Sequence, residues 1–146
     1  MTSDYPPYLA RGISNQECVS EGTIHKCVFQ FSKNTGRREN LLEMSITWLD
    51  DRGAEKTIKS QMKGDHMQFR YGFAVIRRLD LDNLISLDDF NKFHYERART
   101  PDNPYHGNIL VDDSVESVRI RRFNVELRNM SEFYKADDEL PCVCES

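Results

Sequence analysis

The stretch from Gln68 to Leu79 constrains the fold most: Phe69, Tyr71, Phe73 and Val75 recur at every second position, with Gly72, Ala74 and Ile76 between them. Aromatic and β-branched residues at period two describe a pleated strand with both faces occupied, so the spacing predicts an interior sheet strand over residues 68–79. A second alternation, Met44, Ile46 and Trp48 against Ser45 and Thr47, predicts a strand with one bulky apolar face and one hydroxyl face. Residues 8–13, 93–98 and 106–111 also read as strands. His25, Cys27, Phe29 and Phe31 alternate as a further, half-buried one.

Helix signals fall between these runs. Ser14-Asn15-Gln16-Glu17 has the spacing of a capping box, with Ser14 accepting from the amide of Glu17 and Glu17 reaching back, and it predicts a short helix as far as Ser20. Residues 54–63 have helical propensity but few apolar side chains, which suits a surface helix. Residues 81–87 form a short connector with helical character. Asp112-Asp113-Ser114 is an N-cap signal, and Val115, Val118, Phe123, Leu127, Met130 and Tyr134 keep roughly helical spacing to about Lys135.

The elements add up to an α+β fold. The expectation is a single small domain over residues 1–136, with a mainly antiparallel or mixed sheet of about five to six strands and the C-terminal helix packed on one face. Residues 137–146 are acidic and proline-terminated and read as a flexible tail. No repeat or Gly/Ser-rich linker divides the chain, and 146 residues suffice for one core.

Charge narrows the partners. A net charge of −4 gives no overall attraction to nucleic acid or to an anionic membrane. Arg119, Arg121, Arg122 and Arg128 divide between two faces of the last helix, so nucleic-acid binding is disfavoured. Nothing approaches the roughly 20 apolar residues of a membrane span. Residues 1–7 carry an acid and two prolines where a secretory signal needs basic and apolar residues, which gives a cytoplasmic expectation with Cys18, Cys27, Cys142 and Cys144 reduced. His25 and Cys27 could join Cys142 and Cys144 in a Cys₃His set, but the spacing is not that of a zinc knuckle. No metal and no cofactor is expected.

The polar residues that could carry chemistry lie in three places. Arg97, Arg99, Asn103, Tyr105, His106 and Asn108 crowd one loop and strand entrance braced by Pro101 and Pro104, where His106 and Asn108 would be pre-set for proton transfer or phosphate binding. The plain alternative is a turn whose Asn and His bond local backbone. Arg97 and Arg99, two apart, would share a face and could pair with one phosphate or carboxylate. Arg11, between Ala10 and Gly12 in the first strand, must leave the sheet or meet an anion, with Glu43 or Asp50 as the internal choice. Gly12 beside it would admit a close backbone or ligand. Ser45 is the third position, although no Gly-x-Ser-x-Gly elbow surrounds it. Gly-x-Gly spacing never occurs, which removes phosphate-loop and Rossmann chemistry.

Leu9-Ala10-Arg11, Val28-Phe29, Met44-Ser45-Ile46 and Asn103-Pro104-Tyr105-His106, in that order, resemble the pattern of a loose group of short, uncharacterised bacterial proteins. That group has an opening Leu-x-Arg strand and a late Asn-Pro-x-His loop before a terminal helix. The resemblance implies a common fold and points to Arg11, Ser45 and His106, without an activity. A strand Arg, a strand Ser and a late polar residue are also similar to the ADP-ribosyltransferase arrangement, in which Arg binds NAD phosphate and Ser orients the ribose, but the late glutamate of that family has no clear place here.

Two functions follow as expectations. The first is a bacterial binding module for a protein partner, of the kind found in defence or toxin-antitoxin operons, which requires a flat apolar patch. The second is a small enzyme or nucleotide binder that gathers Arg11, Ser45, Arg97, Arg99 and His106 around one anionic ligand. His106 and Ser45 would be its catalytic pair, and Arg11, Arg97, Arg99 and Asn108 its binding residues.

Overall fold

A computed structural model describes residues 5–33 and 40–142. In chain order the strands are β1 (Tyr8–Gly12), β2 (Val19–Ser20), β3 (Thr23–Ile24), β4 (Ser32–Lys33), β5 (Leu41–Trp48), β6 (Met62–Lys63), β7 (His66–Met67), β8 (Phe73–Arg77), β9 (Phe93–Arg97), β10 (His106–Asp112) and β11 (Glu132–Tyr134). The α-helices are α1 (Arg52–Ser60), α2 (Arg78–Ile85) and α3 (Ser117–Met130). The main sheet is antiparallel in the order β11-β8-β1-β5-β10-β9, with β4 added to β5. The fold is therefore α+β, as the sequence predicts.

Strand alternation sorts the residues into two layers. Met44, Ile46 and Trp48 of β5 join Leu9, Ile76, Ile109 and Val111 on one face, where Leu81 and Leu84 of α2 and Phe123 and Leu127 of α3 cover them. Phe93 and Phe123 stack there with ring centroids 3.9 Å apart. The other face carries a smaller cluster, Ala10, Phe73 and Val75 against Ala54 and Ile58 of α1 and Leu140. The few apolar residues of α1 are thus enough, because they meet only part of that face.

Trp48 ties three strands together. It is fully buried, and its indole N–H donates across β10 to the Glu96 carbonyl on β9 at 3.3 Å. The ring passes where Gly107 has no side chain: a Cβ there would lie 2.2 Å from the indole nitrogen and 2.6 Å from the Glu96 carbonyl oxygen.

Several local expectations are corrected. The strand expected over 68–79 starts only at Phe73, because Gly72, at φ +114°, turns the chain and its N–H donates back to Phe69 O. The cap before the first short helix is Asn15, not Ser14: its side chain accepts from the Glu17 amide at 3.0 Å, and the helix is a single 3₁₀ turn over Gln16–Cys18. Residues 25–31 do not form a strand but a 3₁₀ turn at Lys26–Val28. The last helix stops at Met130, and the chain adds an edge strand, β11, to β8. A tail expected to be loose is instead packed as far as Cys142: Leu140 is fully buried, its amide donates to Glu55 Oε2 at 3.0 Å, and Lys59 Nζ donates to Asp138 O.

The expectation of reduced thiols also fails. Cys18 and Cys27 form a disulfide with Cα atoms 5.4 Å apart, joining the two 3₁₀ turns, and Cys142 is disulfide-bonded as well. Cys27 therefore offers no thiolate to a metal. Disulfides of this kind are typical of proteins in oxidising surroundings.

Two outcomes test these contacts. Gly107→Ala should cost about 2–3 kcal/mol, read as a fall in the urea midpoint, since neither the buried indole nor the facing backbone can yield. Burial pushes the Glu55 carboxyl up, but bonds from Lys59, the Leu140 amide and Arg52 outweigh it and hold it below its ordinary value. The docking of residues 137–142 is therefore complete above the ordinary carboxyl value and is lost as pH falls through the lower folded one. The protection factor of the Leu140 amide should fall at acid pH in the wild type, and Glu55→Gln should flatten that dependence.

Candidate functional site

A break in strand pairing lies beside one cleft. On one side of β5, Thr47 and Trp48 pair with β1 while Leu42 and Glu43 pair with β4. Between these pairings β1 follows β8 instead, keeping register with it through Gly12↔Phe73. The Ser45 carbonyl is left without a strand partner on that side.

Arg11 fills the break. Its Nη1 donates to Ser45 O and its Nε to Val28 O, each at 2.5 Å. Both acceptors are neutral, so neither Glu43 nor Asp50 supplies the expected ion pair. Burial holds the guanidinium down to about 10, below its ordinary value, yet still charged at neutral pH. Two of five N–H groups are used, and among the described residues the other three have no hydrogen-bond partner.

Around this group lies an open cleft of about 510 Å³, lined by Arg11, Ser45, Thr47 and His106 together with Gln30, Gln61, Gln68, Glu43 and Phe69. Arg11, Ser45 and His106 thus line one concavity, delivered there by three strands. In the β5–β10 register His106 faces Thr47 and Asn108 faces Ser45. Ser45 and His106 are therefore diagonal neighbours on one face, about 7–8 Å apart. Among the described residues no hydrogen bond joins the two side chains, and the His106 ring bonds the Ala98 carbonyl instead.

His106 is held by its own loop. The acceptor of its Nδ1 is the Ala98 carbonyl, at 2.8 Å, so Nδ1 carries the proton and the lone pair of the neutral ring sits on Nε2. Asn103, buried in the loop, donates from Nδ2 to Thr47 Oγ1 at 3.0 Å and accepts from the Tyr105 amide at 2.9 Å. These bonds fix the strand entrance together with the two prolines. Asn108 is buried one pair further along, and its Oδ1 has no hydrogen-bond partner among the described residues. It pairs with Ser45 but is not one of the residues that line the cleft.

Arg97 and Arg99 do not join this cleft. Arg97 makes a bidentate pair with Asp50 at 2.8 and 2.7 Å, and both arginines line a separate recess with Asp51, Pro104 and Tyr105. β9 ends at Arg97, so Arg99 is off the strand, and the recess that both line already holds the carboxylates of Asp50 and Asp51. The close approach expected at Gly12 is made by Phe69, whose ring lies 2.2 Å from where a Cβ would be. Gln61, Gln68 and Phe69 come from the segment around β6 and β7, and no sequence pattern pointed to them as cleft residues.

The unpaired Asn108 oxygen has a measurable consequence. A buried acceptor left without a donor costs about 1–3 kcal/mol, so Asn108→Leu should leave stability within about 1 kcal/mol of wild type or raise it in urea unfolding. A loss well beyond that range would mean that the amide already has its partners. Compared with protein-family models, curated proteins and solved structures, the chain matches none.

Proposed function

We propose that this chain binds a small anionic molecule in the β1–β5 cleft, with Arg11 meeting the negative group and Ser45, Thr47 and His106 meeting its polar remainder. The observation that carries the reading is Arg11 itself, a charged guanidinium at the cleft with two backbone carbonyls as partners and N–H groups to spare. A carboxylate or phosphate would complete its fork and replace lost hydration with charge-assisted bonds. His106, with its lone pair on Nε2, would accept a hydrogen bond from the ligand, and would take up a proton if the ligand is one that reacts. Arg97 and Arg99 have no part in this reading. Neither nucleic acid nor a membrane surface suits a site lined by single charges and neutral amides.

A second reading, the protein-binding module, is supported by a groove between α2 and α3. Leu84 and Phe90 floor it, and Leu87 (53% exposed), Val118 (48%) and Val125 (38%) stand open to solvent. Size measurement tests that reading: a strictly monomeric chain that retains no partner on pulldown counts against it.

For the ligand reading the test is thermal shift with inorganic phosphate, malonate, nucleoside monophosphates and NAD. A ligand at about ten times its Kd should stabilise the chain by about 1.4 kcal/mol, or roughly 4–5 °C in Tm. Arg11→Gln and His106→Ala should abolish the shift, while Arg97→Gln should keep it. Equal shifts in all four proteins would end the proposal.

A further inference from the structure

The disulfide stands one residue away from a group that holds Arg11. Cys27 is followed by Val28, whose carbonyl accepts the Arg11 Nε–H, and the chain then runs through Gln30, Phe31 and Ser32 along the cleft wall. We propose that the Cys18–Cys27 bond is a redox control on the Arg11 cleft: closed, it sets the guanidinium; opened by a dithiol reductant, it releases it. The inference rests on the reading of the cleft as a ligand site given above.

From its N-terminal side the segment has few backbone ties, although Ile24 is buried in the main core and Ser20 Oγ and His25 Nε2 share a hydrogen bond at 2.9 Å. The two cysteines belong to single 3₁₀ turns, which are too short to persist alone, and the hairpin between them has only the pairs Val19↔Ile24 and Ser20↔Thr23. One further backbone bond, His25 N–H to Cys18 O at 2.9 Å, spans the loop. On the far side the wall is next tied at β4. Val28 and Phe29 are buried between these ties, so their side chains hold the middle of the wall while its approach to Arg11 is set from Cys27.

The bond is placed for exchange. Cys18 is buried, whereas Cys27 is only partly buried, so its side of the bond is the more accessible to a thiolate. A thiolate of the reductant attacks the Cys27 sulfur, the S–S bond breaks, and Cys18 leaves as a thiolate that takes up a proton. The second thiol of the reductant then displaces Cys27, which is likewise protonated. Two electrons pass to the cysteine pair, and the reductant leaves as its own disulfide. In a reducing compartment the cleft would thus be loosened, and in an oxidising one it would be set.

The test follows the Arg11 Nε–H resonance of the ¹⁵N-labelled full chain, oxidised, after treatment with dithiothreitol, and in the Cys18→Ala/Cys27→Ala variant, which leaves the bond at Cys142 in place. The expected result is Nε–H exchange with water at least about tenfold faster in the opened forms, with the Ile109 amide in the central sheet unchanged. By linkage, Arg11→Gln should shift the disulfide equilibrium with dithiothreitol toward the dithiol by a comparable factor. Equal Nε–H exchange in open and closed forms would overturn the proposal. So would loss of the Ile109 signal on opening, because the bond would then staple the whole fold. Titration with inorganic phosphate separates the two readings. If phosphate binds closed and open forms alike, the ligand reading stands and the control is lost; if Arg11 responds to opening but phosphate never binds, the control stands and the ligand reading is lost.

Discussion

The arrangement depends on one arginine that replaces a missing strand. Where β1 turns away from β5, the Ser45 carbonyl is left without a strand partner among the described residues. Arg11 supplies the donor from its own strand and reaches Val28 with the same guanidinium. A lysine could not make both bonds in that geometry, since its single ammonium lacks the planar fork. One side chain therefore closes the ladder, anchors the cleft wall and places a positive charge at the cleft.

The rest of the architecture keeps that break open. On the helix-covered face, Trp48, Phe93 and Phe123 pack tightly, and the indole laid over Gly107 binds β5 to β9 across β10. On the other face α1 and Leu140 cover only the part near Ala10, Phe73 and Val75. Ser45 of β5 stays exposed and His106 of β10 partly so beside it. A sheet with one complete and one partial covering layer gains its stability from the first and its cleft from the second. The unpartnered Asn108 oxygen, in register with Ser45, is a local cost.

Much of the sheet was legible from the sequence. Period-two patterns at β5 and β8 report side-chain alternation, which backbone geometry imposes whatever the neighbours are. Helices were legible where a stripe of large residues met a core, as at Phe123 and Leu127. The failures cluster where short-range pattern competes with a distant partner. His25 to Phe31 alternates like a strand, but the Cys18–Cys27 bond and the buried Val28 and Phe29 fold it into a turn. Tyr134 continues a helical spacing, but β8 offers a free edge and the chain takes it.

For the candidate site, the residue types, the shared strand face of Ser45 and Thr47, and the bracing of the His106 loop were determined by the sequence itself, because each depends on neighbours a few positions away. That Arg11 and His106 reach the same cleft, that Arg97 is neutralised by Asp50, that Phe69 takes the space above Gly12, and that Cys18 meets Cys27 were decided only by tertiary structure. Each of these joins residues whose separation along the chain carries no geometric information. Their meeting is fixed by strand order and by the point at which β1 leaves β5, and both are properties of the assembled sheet.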